Sequence, residues 1–179
     1  DKLISAYDQM LAKTPEDSKL LYLRGRLCST KSQSTTYFNR AMTSDPNNPY
    51  PQFALAYGLI SAGQFDEARK LAASACKLAP DHSQMREQLL EIRLILKEYD
   101  SLARELRAKL VAEPLNMTNH TNLLRILIAA GKTDEAKQAN KQYIKRISDA
   151  GHGTAAFTGQ MKRTLAYFLG DSSRLPDLS

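Results

Sequence analysis

"GQFDEA" at residues 63–68 and "GKTDEA" at 131–136 are near copies, 68 positions apart. Halfway between, at 97–102, stands "KEYDSL", with Tyr99 in the place of Phe65 and Asp100 in the place of Asp66. The interval is 34 residues, and a fixed period of this length marks a repeat architecture. The prolines count it independently: Pro46, Pro80 and Pro114 are 34 apart, and Pro15 precedes Pro46 by 31. Each closes an apolar-periodic run ("LAKTP", "MTSDP", "CKLAP", "LVAEP"), where the missing amide and the ring's clash with the preceding turn stop a helix. Gly63 and Gly131 lie midway between stops and can end a first helix at positive φ. Asp66 and Asp134 can then cap a second helix. One period predicts helix, tight turn, helix, proline stop.

With those elements in place the sequence resembles the tetratricopeptide repeats. The second-helix pattern of that family is matched by Ser34, Phe38, Ala41 and Pro46, and by Ala68, Ala72, Ala75 and Pro80. It recurs more loosely as Leu102, Leu106, Lys109 and Pro114, then as Ala136, Asn140 and Tyr143, with Ser148 at the proline place. Leu3, Tyr7, Met10 and Pro15 place the chain's opening inside a second helix. The first-helix places hold Leu21, Arg24, Gly25 and Cys28; Gln52, Leu55, Ala56 and Leu59; Arg86, Leu89, Leu90 and Arg93; His120, Leu123, Leu124 and Leu127. No repeat keeps the family's aromatic-Leu-Gly-aromatic signature whole, and the first is three residues short, which the reading places in its turn around "STKSQS". The resemblance covers residues 1–148. It implies an all-α, right-handed superhelical solenoid of antiparallel helix hairpins. Residues 1–16 are expected to be the second helix of a truncated preceding repeat, 17–148 four repeats, and 149–179 a linker with a terminal or capping helix. Ten helices are expected, the first near 2–13 and the last near 155–169.

Composition agrees with such a fold. Of 179 residues, 42% are apolar, with only eight glycines and seven prolines, so the chain is globular and not a disordered tract. No apolar run approaches the ~18 residues of a membrane span, and no signal-peptide core is visible. "NLLRILIAAG" at 122–131 is apolar almost all round its helix. Such a helix must be sandwiched between neighbours, so the hairpins must stack. The tail breaks the period. "SDAGHGTAAFTG" at 148–159 reads as a linker, after which Phe157, Met161, Leu165 and Phe168 or Leu169 follow helical spacing. That last helix is either a cap or the first helix of a further repeat, and "SSRLPDLS" does not decide between them. A chain that starts at Asp1, within a repeat, reads as part of a longer protein or as a processed one.

Catalytic signatures are missing: no G-x-S-x-G, no phosphate-binding loop and no G-x-G-x-x-G. Cys28 and Cys76 form no metal or redox motif and read as small core residues, leaning towards a reducing cytoplasm over a periplasm. His82, His120 and His152 lack ligand spacing, so no metal and no cofactor are expected. "NMT" at 116–118 and "NHT" at 119–121 match a glycosylation sequon that matters only on a secretory route. Net charge is +6 with pI near 9.3, which gives acidic partners a hearing. Lys137, Lys141 and Lys145 form an i, i+4, i+8 stripe with Arg146 beside it. No aromatic interleaves them, so the reading is a solvated face and is against nucleic acid.

Function is therefore sought in the groove. First-helix residues pointing roughly 130° from the self-packing face line, by the resemblance, the concave surface where partner peptides or helices bind. These include Tyr22, Arg26, Tyr50, Phe53, Tyr57, Glu87, Glu91 and Arg125. Tyr50, Phe53 and Tyr57, at i, i+3 and i+7, form one aromatic stripe on one helix. It would be flanked by Arg26 on one side and Glu87 with Glu91 on the other. Core packing would also explain the stripe. The family's chaperone-tail clamp is not matched, because Tyr22, Arg26, Ala54, Gln84 and Gln88 stand at its places. The expectation is a non-enzymatic protein-interaction scaffold that binds a peptide or helix. The alternative is a structural solenoid that self-associates into a homo-oligomer.

Overall fold

The computed structural model describes residues 2–170, so "SSRLPDLS" lies outside the described residues. Ten helices fill them: α1 (Lys2–Lys13), α2 (Ser18–Gly25), α3 (Lys31–Ser44), α4 (Pro49–Ile60) and α5 (Phe65–Leu78) come first. After them come α6 (Ser83–Ile95), α7 (Tyr99–Ala112), α8 (Met117–Ala129), α9 (Thr133–Asp149) and α10 (Ala155–Phe168). No strand is present among the described residues, and no helix there is long and apolar enough to cross a membrane.

The stops and turns sit where the period puts them. Pro15, Pro46, Pro80 and Pro114 each follow the end of a second helix by two residues. Gly63 and Gly131 adopt φ of 73° and 76°, the left-handed conformation that only glycine enters without a Cβ penalty. At the first, Gly63 N donates to Ile60 O at 3.0 Å and Gln64 N to Leu59 O at 3.0 Å. Gly131 and Lys132 repeat the pattern on Ile128 and Leu127, so the carbonyls of Leu59, Ile60, Leu127 and Ile128 are satisfied by the turn amides. The period puts Lys97 at the glycine place of the third turn, and its φ is 58°. The first helices are started by Asp17, Asn48 and Asn116, whose side chains accept from amides one turn on.

Two expectations are corrected. Asp66 and Asp134 do not cap the second helices: Gln64 and Lys132 hold the cap positions, without a side-chain bond. The glycine turn leaves one residue before the helix, so the acids fall inside its first turn, where they meet the positive end of the helix dipole. The three residues missing from the first repeat are not lost around "STKSQS" either. That stretch begins α3, which keeps 14 residues like α5 and α7, whereas α2 has eight against 12 or 13 in α4, α6 and α8. The first helix lost its last turn.

The chain divides into two compact units, Asp1–Leu96 and Lys97–Ser179, with the divide in the turn of the third expected repeat. In the first unit, Ala56, Ala68, Ala72 and Ile92 form a buried cluster ringed by Leu59, Ile60, Phe65, Leu71, Leu89 and Leu96. The alanines on α4 and α5 let those helices approach closely, and α6 closes the cluster with Ile92. In the second unit α8 packs against α7, α9 and α10. Leu123, Leu124, Ile126 and Leu127 are all buried there, as the unbroken apolar surface of α8 requires. Each such side chain contributes roughly 1.5–3 kcal/mol. Tyr143, Ile147 and Met161 join α9 to α10. Helix α10 contacts both α8 and α9, as α6 contacts both α4 and α5.

Candidate functional site

Pro49 opens α4 behind the Asn48 cap, and the helix then turns Pro51, Gln52, Leu55 and Ala56 into the unit. Tyr50, Phe53 and Tyr57 are left on other faces: Tyr50 is 44% exposed, Tyr57 68% exposed and Phe53 half-buried. The stripe is not one continuous surface of rings. Tyr22 on α2 meets Tyr50 at 5.6 Å between centroids, and Phe38 on α3 meets Tyr22 at 5.8 Å. On the other side His82 takes the edge-on place against Tyr50 at 5.9 Å and lies 6.2 Å from Phe53. The rings run Phe38, Tyr22, Tyr50, His82, Phe53. Tyr57 stands apart from them.

Polar groups frame this run. Arg26 Nη1 lies 3.4 Å from the Tyr22 hydroxyl, with the guanidinium 6.0 Å from the ring centroid. Gln88 Nε2 donates to Phe53 O at 3.3 Å, fastening α6 to α4. Glu87 is exposed and Glu91 half-buried on α6. Arg125, half-buried on α8, belongs to the second unit. His82 Nδ1 is buried without a hydrogen-bond partner.

Tyr57 instead borders a recess of about 410 Å³ between α3 and α4, lined also by Lys31, Phe38, Ala54 and Gly58. Lys31 Nζ donates to Gly58 O at 2.9 Å. That carbonyl is free to accept, because Ala62 N turns to Leu59 O as α4 ends.

Two ring residues, His82 and Phe38, had no place in the sequence-based site. Phe38 matched the second-helix pattern and read as packing. His82 carried a signal: at the cap position the repeats read Asp17, Asn48, His82 and Asn116. Histidine is a poor substitute for Asp or Asn there, and its side chain makes no cap hydrogen bond. Released from capping, the ring is free to pack.

The other candidates fall outside the groove. Lys137, Lys141 and Lys145 are exposed, and Lys137 Nζ reaches Asp134 at 3.3 Å. Cys28 and Cys76 are free and half-buried, and burial raises the Cys76 thiol pKa against the lowering effect of Arg86. His120 is structural. It is 2% exposed, stacks on Tyr143 at 3.9 Å, and shares a 3.1 Å hydrogen bond with Asn140, whose Nδ2 donates to Met161 O at 3.2 Å. Burial lowers the His120 pKa, assisted by Arg146 and opposed by the Asn140 bond.

Residues 51–92 match the family model described as a tetratricopeptide repeat. No curated protein matches the sequence. Solved structures do match. A structure of Naa15/Naa10 bound to HypK-THB aligns at TM-score 0.60 and 17% identity, over 95% of this chain and 31% of that one, so this chain spans about a third of it. The MamA protein aligns at TM-score 0.60 and 15% identity, covering 85% of each chain. YrrB, described as a TPR protein with an unusual peptide-binding site, aligns at TM-score 0.59 and 13% identity, over 94% of this chain and 86% of that one. At these identities the likeness is one of fold.

Proposed function

We propose that this chain, a tetratricopeptide-repeat protein, is a non-catalytic protein-interaction scaffold whose first unit binds a short extended or helical peptide across α2, α4 and α6. The observation that carries the reading is the exposure of Tyr50 and Tyr57 on a helix whose self-packing faces are already filled by Pro51, Gln52, Leu55 and Ala56. A tyrosine offers a flat apolar ring and a hydroxyl for peptide backbone, the combination favoured at interfaces. Arg26 at the α2 side and Glu87 with Glu91 on α6 supply opposite charges at the two flanks. The expected affinity is micromolar, roughly −8 kcal/mol.

Combining Tyr50→Ala with Tyr57→Ala tests this. Helical content should hold and peptide retention should fall at least tenfold. Loss of several kcal/mol of stability without a specific loss of binding would make the rings core. Light scattering at two concentrations separates the alternative, since a mass that grows with concentration would favour a self-associating solenoid.

A further inference from the structure

Moved forward by one period, Lys31 becomes Phe65 and Gly58 becomes Ile92. In the second repeat that pair is a plug: Ile92 is fully buried in the cluster of α4, α5 and α6, and Phe65 packs against it. One period further on, the pair reads Tyr99 and Ile126, the latter fully buried in its own unit. The first repeat lacks both large apolar members, with a cation and a residue without a side chain in their places; the last period, where the linker breaks the spacing, reads Thr133 and Gln160. The end of α2 that would flank the gap is also missing, since that helix stops at Gly25 after eight residues. The result is the recess of about 410 Å³ beside Tyr57. This falls within the roughly 300–1,000 Å³ of clefts that hold small ligands, which leaves room for one large side chain.

The one charged side chain that lines it is Lys31. Lys31 is exposed and meets a neutral partner, the Gly58 carbonyl. The first turn of α3 holds no acid, whereas α5, α7 and α9 carry Asp66 with Glu67, Asp100, and Asp134 with Glu135 there. The positive end of the α3 dipole is therefore uncompensated by a carboxylate of its own.

From the absent plug and the unpaired cation Lys31 together, we infer that the recess is a specificity pocket for a large apolar side chain followed or preceded, within two residues, by an Asp or Glu. The occupant is a segment of the peptide bound by the groove, so this inference rests on the function proposed above. Phe38 links the two, since it lines the recess and touches Tyr22. The apolar side chain displaces water from Tyr57, Ala54 and Phe38, and the carboxylate takes the place of the missing acid beside Lys31 in the first turn of α3.

The test is selection from an arrayed library of random linear dodecapeptides. Its variants restore the plug (Lys31→Phe with Gly58→Ile), reverse the charge (Lys31→Glu) or damage the groove (Tyr22→Ala with Tyr50→Ala). The plugged variant reproduces a pair that the second repeat already packs, and circular dichroism confirms that it folds. The wild-type chain should retain peptides enriched at least threefold in Leu, Met or Phe lying within two residues of an acid. Plugging should weaken their binding at least tenfold, while Lys31→Glu should erase the acidic preference. If the retained peptides lack the pair, or bind the plugged variant equally well, the pocket is refuted and the groove stands. If nothing is retained, or retention ignores Tyr22→Ala with Tyr50→Ala, the groove reading falls and takes the pocket with it.

Discussion

Gly25 and Gly58 both lie on first helices of the same unit, yet alanine should act on them with opposite sign. A Cβ on Gly25 would stand 2.7 Å from Phe38 Cε1 and 2.9 Å from both Phe38 Cδ1 and Tyr37 Cβ. Tyr37 Cβ is tied to its backbone, and the Phe38 ring is held by its contact with Tyr22, so α2 and α3 must move apart. Overpacking of this kind costs roughly 1–3 kcal/mol. Removing a helical glycine returns at most about 1 kcal/mol, and less at the last residue of a helix. Gly25→Ala should therefore lose about 1–2 kcal/mol net. A Cβ on Gly58 meets only Lys31 Cε, at 3.7 Å, an ordinary contact. Gly58→Ala should gain roughly 0.5–1 kcal/mol by lowering the entropy lost on folding. Urea unfolding followed by far-UV circular dichroism reads both, as shifts of midpoint at constant slope. A Gly25→Ala protein as stable as the parent would refute the close crossing of α2 and α3. A Gly58→Ala protein less stable than the parent would refute the open recess.

Replacing Lys97 by Gly should raise stability by about 1 kcal/mol, because a left-handed backbone strains any residue with a Cβ; an unchanged urea midpoint would contradict the φ of 58°. His120, whose pKa burial lowers, is held neutral in the fold while the unfolded chain protonates near pH 6.5. Its contribution is thus present above about pH 6.5 and lost as pH falls from there towards the lower folded pKa, by up to about 1.4 kcal/mol per unit; His120→Gln should flatten that slope between pH 7.5 and 5.5. Tyr143→Phe removes the 2.8 Å bond from the hydroxyl to Leu115 O and should cost about 1 kcal/mol, the net contribution of an ordinary hydrogen bond, read as a shift of the urea midpoint.

The fold was legible because its signals are local and redundant. Proline stops, glycine turns and capping residues each act within one helical turn, so every one could be read from its neighbours alone. The readings that missed concern what those signals do when crowded. Asp66 and Asp134 looked like caps, but a glycine turn consumes all but one of the intervening residues and slides the acid into the helix. For the three residues missing from the first repeat, the sequence points to the turn around "STKSQS". Here the last turn of α2 disappeared instead, where Cys28 and Ser29 lie outside the helix and offer little apolar surface to hold another turn.

The site was harder to read because exposure is a difference between neighbours, and one repeat examined by itself does not contain it. Tyr50, Phe53 and Tyr57 share a spacing, and spacing alone makes them one stripe. What separates Tyr57 from the other two lies on different helices. His82 arrives from the cap of α6 to close over Tyr50 and Phe53, while Lys31 arrives from α3 beside Tyr57. Both residues are visible in the sequence once positions are compared by period: histidine among caps that read Asp, Asn and Asn, and lysine at a place that reads Phe, Tyr and Thr in the later repeats. A repeat chain thus supplies its own reference for each position. Departures from that reference at places whose counterparts are packed or capped mark where this protein differs chemically from its own repeats: His82 beside Tyr50 and Phe53, and Lys31 beside Tyr57 and Gly58.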